Sequence, residues 1–62
     1  MPIVNIKLFS GRTYEMKKRA AEKITDIVVE ELKAKREAVV IVYQDIDKEN
    51  WCRNGKMLSE VD

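Results

Sequence analysis

The sequence predicts an α+β fold, a β-α-β subunit with parallel strands, one long helix and a C-terminal β-hairpin. Three observations support this prediction: an apolar, β-branched run over residues 2–9, apolar residues at helical spacing over residues 14–33, and a second apolar run over residues 38–43. A strand-helix-strand crossover of this length implies that the two strands are adjacent and parallel, with a right-handed connection. The chain has 62 residues, so we expect a single domain over residues 1–62.

The first strand is predicted over residues 2–9. Val4, Ile6 and Leu8 point to one face, which is wholly apolar and is expected to meet the core. The opposite face is mixed, which is consistent with partial burial against another subunit, and carries Ile3, Asn5, Lys7 and Phe9.

A long helix is predicted over residues 14–33, after a turn at residues 10–13. Thr13 is suited to cap the helix, and Glu15 is well placed for the helix dipole. The predicted apolar stripe consists of Ala20, Ala21, Ile24, Ile27, Val28 and Leu32.

The second strand, predicted over residues 38–43 after a connector at 33–37, does not alternate between apolar and polar residues. A continuous apolar run indicates a strand buried on both faces. One helix covers only one face of a small sheet. The simplest cover for the other face is another copy of the chain.

A hairpin is predicted over residues 51–58, after a polar, solvated loop at residues 44–50. Asn54 and Gly55 form the turn, since both central positions of a tight hairpin favour a positive φ. A two-stranded hairpin is not stable alone. We therefore expect it to pack on a neighbouring subunit.

Composition excludes several classes of protein. A net charge of +1 argues against nucleic-acid binding, and no apolar run approaches the ~20 residues that span a membrane. With no histidine and Cys52 as the single cysteine, neither a metal site nor an internal disulfide is expected. A secretory signal is also not expected, and the lone cysteine fits a cytoplasmic setting. Oligomerisation is the remaining route to stability for so small a chain.

Pro2 is a candidate general base. Removal of Met1 would leave its secondary amine free, and an α-amino group titrates near ~8 in model peptides. Burial or nearby positive charge lowers such a pKa towards the working pH of a base. The other candidate bases are the carboxylates, lysines, tyrosines and Cys52. Each would need a large pKa shift to titrate near neutral pH. Proline is also tolerated simply as the first residue of a strand.

The sequence resembles the 4-oxalocrotonate tautomerase family over essentially the whole chain. The residues that carry the resemblance are Pro2-Ile3, Gly11-Arg12, and Trp51 ahead of a hairpin with Gly55. The resemblance implies a tautomerase/MIF-like fold and a homo-oligomer, commonly a hexamer built as a trimer of dimers. It also implies a cofactor-free isomerase that acts on enol or 2-oxo acids, as in aromatic-compound degradation. Pro2 would be the base, Arg12 the carboxylate ligand and Trp51 the apolar side of the site.

One position departs from the family pattern. The better-known members carry a second arginine early in strand two, donated from a neighbouring subunit, where this chain has Val40. The absence of this second arginine favours a monocarboxylate over a dicarboxylate substrate, unless Arg53, Arg36 or Lys7 replaces it. Two other functions stay open: a dehalogenase or hydratase acting on unsaturated acids, and an oligomeric binding protein without catalysis.

Overall fold

Two parallel strands and one long helix form the main unit of the computed structural model, which describes residues 1–60. Strand β1 spans Ile3–Phe9, helix α1 spans Tyr14–Leu32, and strand β2 spans Val40–Ile46. The strands pair in register from Ile3 opposite Val40 to Phe9 opposite Ile46. Strands β3 (Cys52–Arg53) and β4 (Lys56–Met57) form an antiparallel hairpin. The predicted α+β class, β-α-β order and hairpin are confirmed.

Helix α1 begins and ends close to its predicted bounds. The Thr13 side chain accepts a hydrogen bond from the Met16 amide at 3.1 Å, which satisfies one of the free donors of the first turn. The helix ends at Leu32, because Lys33 adopts a left-handed conformation with φ 57°. No helix in residues 1–60 has the length and apolarity needed to cross a membrane.

The core of the described chain is small. Val28, which is 8% exposed, is the only buried residue among residues 1–60. The Tyr43 hydroxyl donates to the Lys17 carbonyl of α1 at 2.8 Å, which shows that the helix lies over the sheet face carrying this side chain. The half-buried residues of that face are Val4, Ile6, Leu8, Ile41 and Tyr43. The other face of the sheet is open: Ile3 is 57% exposed and Val42 is 45% exposed. One helix therefore covers one face of the sheet and leaves the second face apolar and uncovered.

Two residues of the predicted apolar stripe lie outside this core. Ile27 is 61% exposed and Leu32 is 68% exposed. Ile27 is one residue from Val28 and so points about 100° away around the helix axis. Leu32 belongs to the last turn of the helix. The apolar stripe is thus wider and longer than the surface that two strands can cover.

The second strand lies further along the chain than predicted. Residues 38 and 39 do not belong to it, because Arg36–Ala38 forms a 3₁₀ turn closed by a hydrogen bond from the Val39 amide to the Arg36 carbonyl at 3.2 Å. The strand instead continues through polar residues 44 and 45. There β1 still offers hydrogen-bonding partners, which outweigh the low strand preference of polar side chains.

The surface and shape of the subunit indicate that it is incomplete alone. Its accessible surface is 5219 Å², whereas a compact 7.2 kDa monomer is expected to expose about 4100 Å². Its radius of gyration is 14.9 Å, against about 10.6 Å for a compact chain of this length. The hairpin contributes to this open shape, since β3 and β4 pair only with each other within residues 1–60.

Candidate active site

Phe9, the last residue of β1, is the centre of a cluster of aromatic and cationic side chains. The Arg12 guanidinium donates to the Phe9 carbonyl oxygen at 3.3 Å. The Trp51 ring meets the Phe9 ring edge to face, with centroids 4.9 Å apart and an interplanar angle of 70°. The Lys48 ammonium lies 5.9 Å from the centroid of the same ring. The structure therefore brings predicted site residues Arg12 and Trp51 together at the carboxyl end of β1.

Trp51 is held in place from both sides. Its indole N–H donates to the Ile46 carbonyl at the end of β2, at 3.0 Å. Its own carbonyl accepts from the Leu58 amide beyond the hairpin, also at 3.0 Å. A half-buried tryptophan with its polar atom satisfied is an ordered apolar surface.

The loops at this end of the sheet are tied to each other. The Ser10 hydroxyl donates to the Asp47 carboxylate at 2.6 Å, which joins the turn after β1 to the turn after β2. Gly11 has a φ of 124°, a conformation that favours glycine, and it directs the chain towards Arg12. This tie places Lys48 beside Phe9.

Lys48 is the residue that sequence reasoning missed, since it was assigned to a solvated loop. The parallel register is the feature that could have located it. Phe9 pairs with Ile46, so residues just after Ile46 must lie beside the end of β1. Because the second strand is predicted to end at residue 43, the sequence analysis does not place residue 48 beside the end of β1.

The two cations of the cluster have no carboxylate partner among the residues that the structure describes. Neither Arg12 nor Lys48 forms an ion pair with a carboxylate within residues 1–60, whereas Lys17 pairs with Asp45 and Arg36 pairs with Asp26. A guanidinium has five N–H donors, so Arg12 keeps donors for a carboxylate beyond the one that contacts the Phe9 carbonyl. In the same residues, no group of three His, Cys, Asp or Glu side chains is placed to hold a metal ion.

Pro2 lies at the opposite end of β1. It is half-buried, follows the exposed Met1, and its carbonyl accepts from the Val40 amide at 3.0 Å. Seven strand steps separate Pro2 from Phe9, which corresponds to about 23 Å. A single subunit therefore does not bring Pro2 to Arg12 and Trp51.

The hydrogen bonds of β1 show which of its edges is open. The Pro2 carbonyl and the Ser10 amide both bond to β2, so even-numbered residues direct their backbone groups towards that strand. Ile3, Asn5, Lys7 and Phe9 consequently present their amides and carbonyls at the outer edge. Arg12 bonds the Phe9 carbonyl and so lies at this outer edge.

Two surface depressions among residues 1–60 each collect only part of the predicted site. One, of about 250 Å³, is mostly apolar and is lined by Ile6, Leu8, Arg12, Met16, Lys17, Ala20 and Tyr43. The other, of about 300 Å³, lies at the hairpin and is lined by Gly55, Lys56, Met57 and Glu60. Neither contains Pro2 or Trp51. The Arg12 depression suits an acid better, because the carboxylate of Glu60 would repel one in the other.

Comparison with known proteins agrees with this architecture. The "Tautomerase enzyme" family matches residues 2–60. A probable tautomerase of Bacillus cereus is 40% identical over 97% of this chain and 98% of its own length. The 2-hydroxymuconate tautomerase of Bacillus subtilis is 36% identical over the full length of both. The crystal structure of YwhB, a homologue of 4-oxalocrotonate tautomerase, superposes with a TM-score of 0.94 at 34% identity, covering 98% of this chain and all of its own. The chain therefore belongs to the tautomerase enzyme family, as a homologue of 4-oxalocrotonate tautomerase.

Proposed function

We propose that this tautomerase moves a proton between oxygen and carbon, or between two carbons, of an enol or unsaturated 2-oxo acid, with the Pro2 amine as general base once Met1 is removed. The observation that carries the proposal is the Arg12 guanidinium, which has no carboxylate partner within residues 1–60 and lies at the outer edge of β1, where Phe9 and Trp51 pack together. This arrangement suits a planar, conjugated acid: a cation for its carboxylate and an apolar surface for its carbon chain.

The site is proposed to form between two subunits. Antiparallel pairing of β1 with β1 of a second copy, about a two-fold axis, would satisfy the open outer edge. Pairing Ile3 with the partner subunit's Phe9, and Asn5 with the partner subunit's Lys7, uses all four outward-facing residues of each strand. This register puts Pro2 opposite the partner's Ser10, one residue along from the partner's Phe9, on strands about 4.8 Å apart. Pro2 of one subunit would then work with Arg12 and Trp51 of the other.

The chemistry follows from these placements. The neutral Pro2 nitrogen removes the proton of the enol hydroxyl, or of a carbon next to the carbonyl, and the electron pair spreads over the conjugated system. The prolinium then returns the proton to carbon, so no other reactant is consumed. Arg12 binds the carboxylate, and Phe9 with Trp51 keeps water from the amine. A drier site strengthens the attraction between Arg12 and the negative charge of the intermediate.

Further copies are proposed to complete the assembly as a homo-hexamer, a trimer of dimers. The open sheet face, with Ile3, Val40 and Val42, and the isolated hairpin offer apolar surface for this purpose. Burying such surface contributes roughly 25 cal/mol per Å². The exposed thiol of Cys52 suits the reducing cytoplasm, which is the proposed location.

The proposed function is tested by intact mass on the untagged protein followed by an assay of enol-to-keto conversion. We expect the mass of the chain without Met1, and turnover of phenylenolpyruvate or of a 2-hydroxydienoate monitored by loss of enol absorbance. Retained Met1, or turnover of neither enol acid, would contradict the proposal. Halide release from a haloacrylate, without enol turnover, would indicate the dehalogenase chemistry instead.

A further inference from the structure

We propose that the hydrogen bond between Ser10 and Asp47 positions the two residues of the site that hold the acid, Arg12 and Trp51. The inference rests on the proposed function and deepens it by adding a pair of positioning residues. Ser10 precedes Arg12 by two residues, and Asp47 precedes Trp51 by four. The Ser10 hydroxyl donates to the Asp47 carboxylate at 2.6 Å, so one contact joins the two segments that carry the site.

The Asp47 carboxylate is used for this contact and not for its own turn. Asp47 is the N-cap residue of the 3₁₀ turn at Lys48–Asn50, a position where an aspartate commonly accepts a hydrogen bond from a nearby backbone amide. Its side chain makes no such capping bond. The carboxylate instead accepts from Ser10, which lies 37 positions earlier in the chain. The side chain therefore stabilises the contact between two segments.

The Ile46 carbonyl is a second point at which the two segments meet. It accepts from the Ser10 amide at 3.3 Å and from the Trp51 indole N–H at 3.0 Å. The bond from the Ser10 amide is long for an N–H donor, and it shares its acceptor with the indole. The bond to the Asp47 carboxylate is shorter and is assisted by charge, so it is the stronger attachment of Ser10.

Gly11 makes the attachment of Ser10 important for Arg12. Its φ of 124° favours glycine, and a Cβ at this position would meet no atom within 4 Å, so packing does not hold the residue. On the other side of Arg12, Thr13 is fixed as the cap of helix α1. Loss of the bond to Asp47 would free Ser10 and let the Arg12 backbone move about the glycine.

The test measures steady-state kinetics of Ser10→Ala and Asp47→Ala, singly and together. We expect each single variant to raise the KM for phenylenolpyruvate about three- to tenfold with kcat little changed, because the displaced residues bind substrate and transition state alike. The double variant should be no worse than either single one, since both substitutions break the same bond. Asp47→Asn should keep the KM of the wild type, because its amide oxygen still accepts from Ser10.

The affinity for sorbate, a conjugated acid without an enol, is a second readout that needs no turnover. Calorimetric titration should show a Kd raised by the same factor in both single variants. Removal of a carboxylate would by itself favour an anionic ligand, so a loss of affinity reports the bond and not the charge. Glu49→Ala is the matched control, because it removes an exposed carboxylate from the same turn and should weaken neither KM nor sorbate binding.

Several results would overturn the inference: wild-type KM and sorbate affinity in either single variant, losses that add in the double variant, or an Asp47→Asn variant as impaired as Asp47→Ala. Absence of sorbate binding by the wild-type protein would overturn it as well. Failure of the proposed function is distinguishable, since sorbate affinity would then depend on Ser10 and Asp47 while neither enol acid is turned over.

Discussion

Replacing Pro2 with alanine is expected to lower kcat/KM for an enol acid by about 100-fold or more. Positioned general bases contribute about 10²–10⁴-fold to rates. Alanine leaves a primary amine on a more flexible residue, without the ring that fixes φ at the start of β1. The measurement is steady-state kinetics on protein whose intact mass shows that Met1 has been removed.

The control for this variant is Ile3→Val, which alters the next residue of the chain but should leave turnover within a few-fold of wild type. Size-exclusion chromatography of the Pro2→Ala variant should show an unchanged oligomer. Wild-type activity should also fall as the pH is lowered, since a protonated amine cannot accept a proton. Equal kcat/KM for the variant and wild type would rule out Pro2 as the base.

Replacing Arg12 with glutamine is expected to lower kcat/KM by about 10–100-fold, mainly through a higher KM. Hydrogen bonds to charged groups contribute about 1.5–3 kcal/mol, and the carboxylate contact is made in both substrate and transition state. Arg12 is exposed, and its only hydrogen bond within residues 1–60 is to the Phe9 carbonyl. The loss should therefore reflect substrate binding rather than unfolding.

Arg19→Gln is the matched control, because Arg19 is an exposed helix arginine and its replacement should leave KM unchanged. Arg12→Lys should recover only part of the affinity, since an ammonium cannot bind a carboxylate in bidentate fashion. An Arg12→Gln variant with wild-type KM would show that the carboxylate is bound elsewhere.

Local patterns were sufficient to predict most of the fold. Thr13 marked the start of the helix, and the Asn54-Gly55 pair, with φ values of 54° and 75°, marked the hairpin turn. These features depend on residues close in sequence. Strand β2 lies further along the chain than predicted, because its bounds depend on hydrogen bonds to β1. Local sequence patterns give no information about these bonds.

The candidate site was harder to predict than the fold. Arg12 and Trp51 were predicted from the family resemblance, and the structure places both at Phe9. Lys48 was missed because its neighbourhood depends on the register of β1 against β2. The separation of Pro2 from Arg12 by the length of β1 is also a property of tertiary structure. It explains why the proposed site needs two chains.

The central claim, that Pro2 of one subunit acts with Arg12 of another, is tested most directly by mixing two impaired variants and assaying them at a substrate concentration well below the KM of the wild-type protein. Pro2→Ala and Arg12→Gln proteins are unfolded together in denaturant in equal amounts and refolded. Random pairing makes half of the dimers mixed, and each mixed dimer contains one site with both native residues. We therefore predict recovery of about a quarter of the wild-type kcat/KM. Activity no higher than that of the two variants refolded separately would contradict a site shared between subunits.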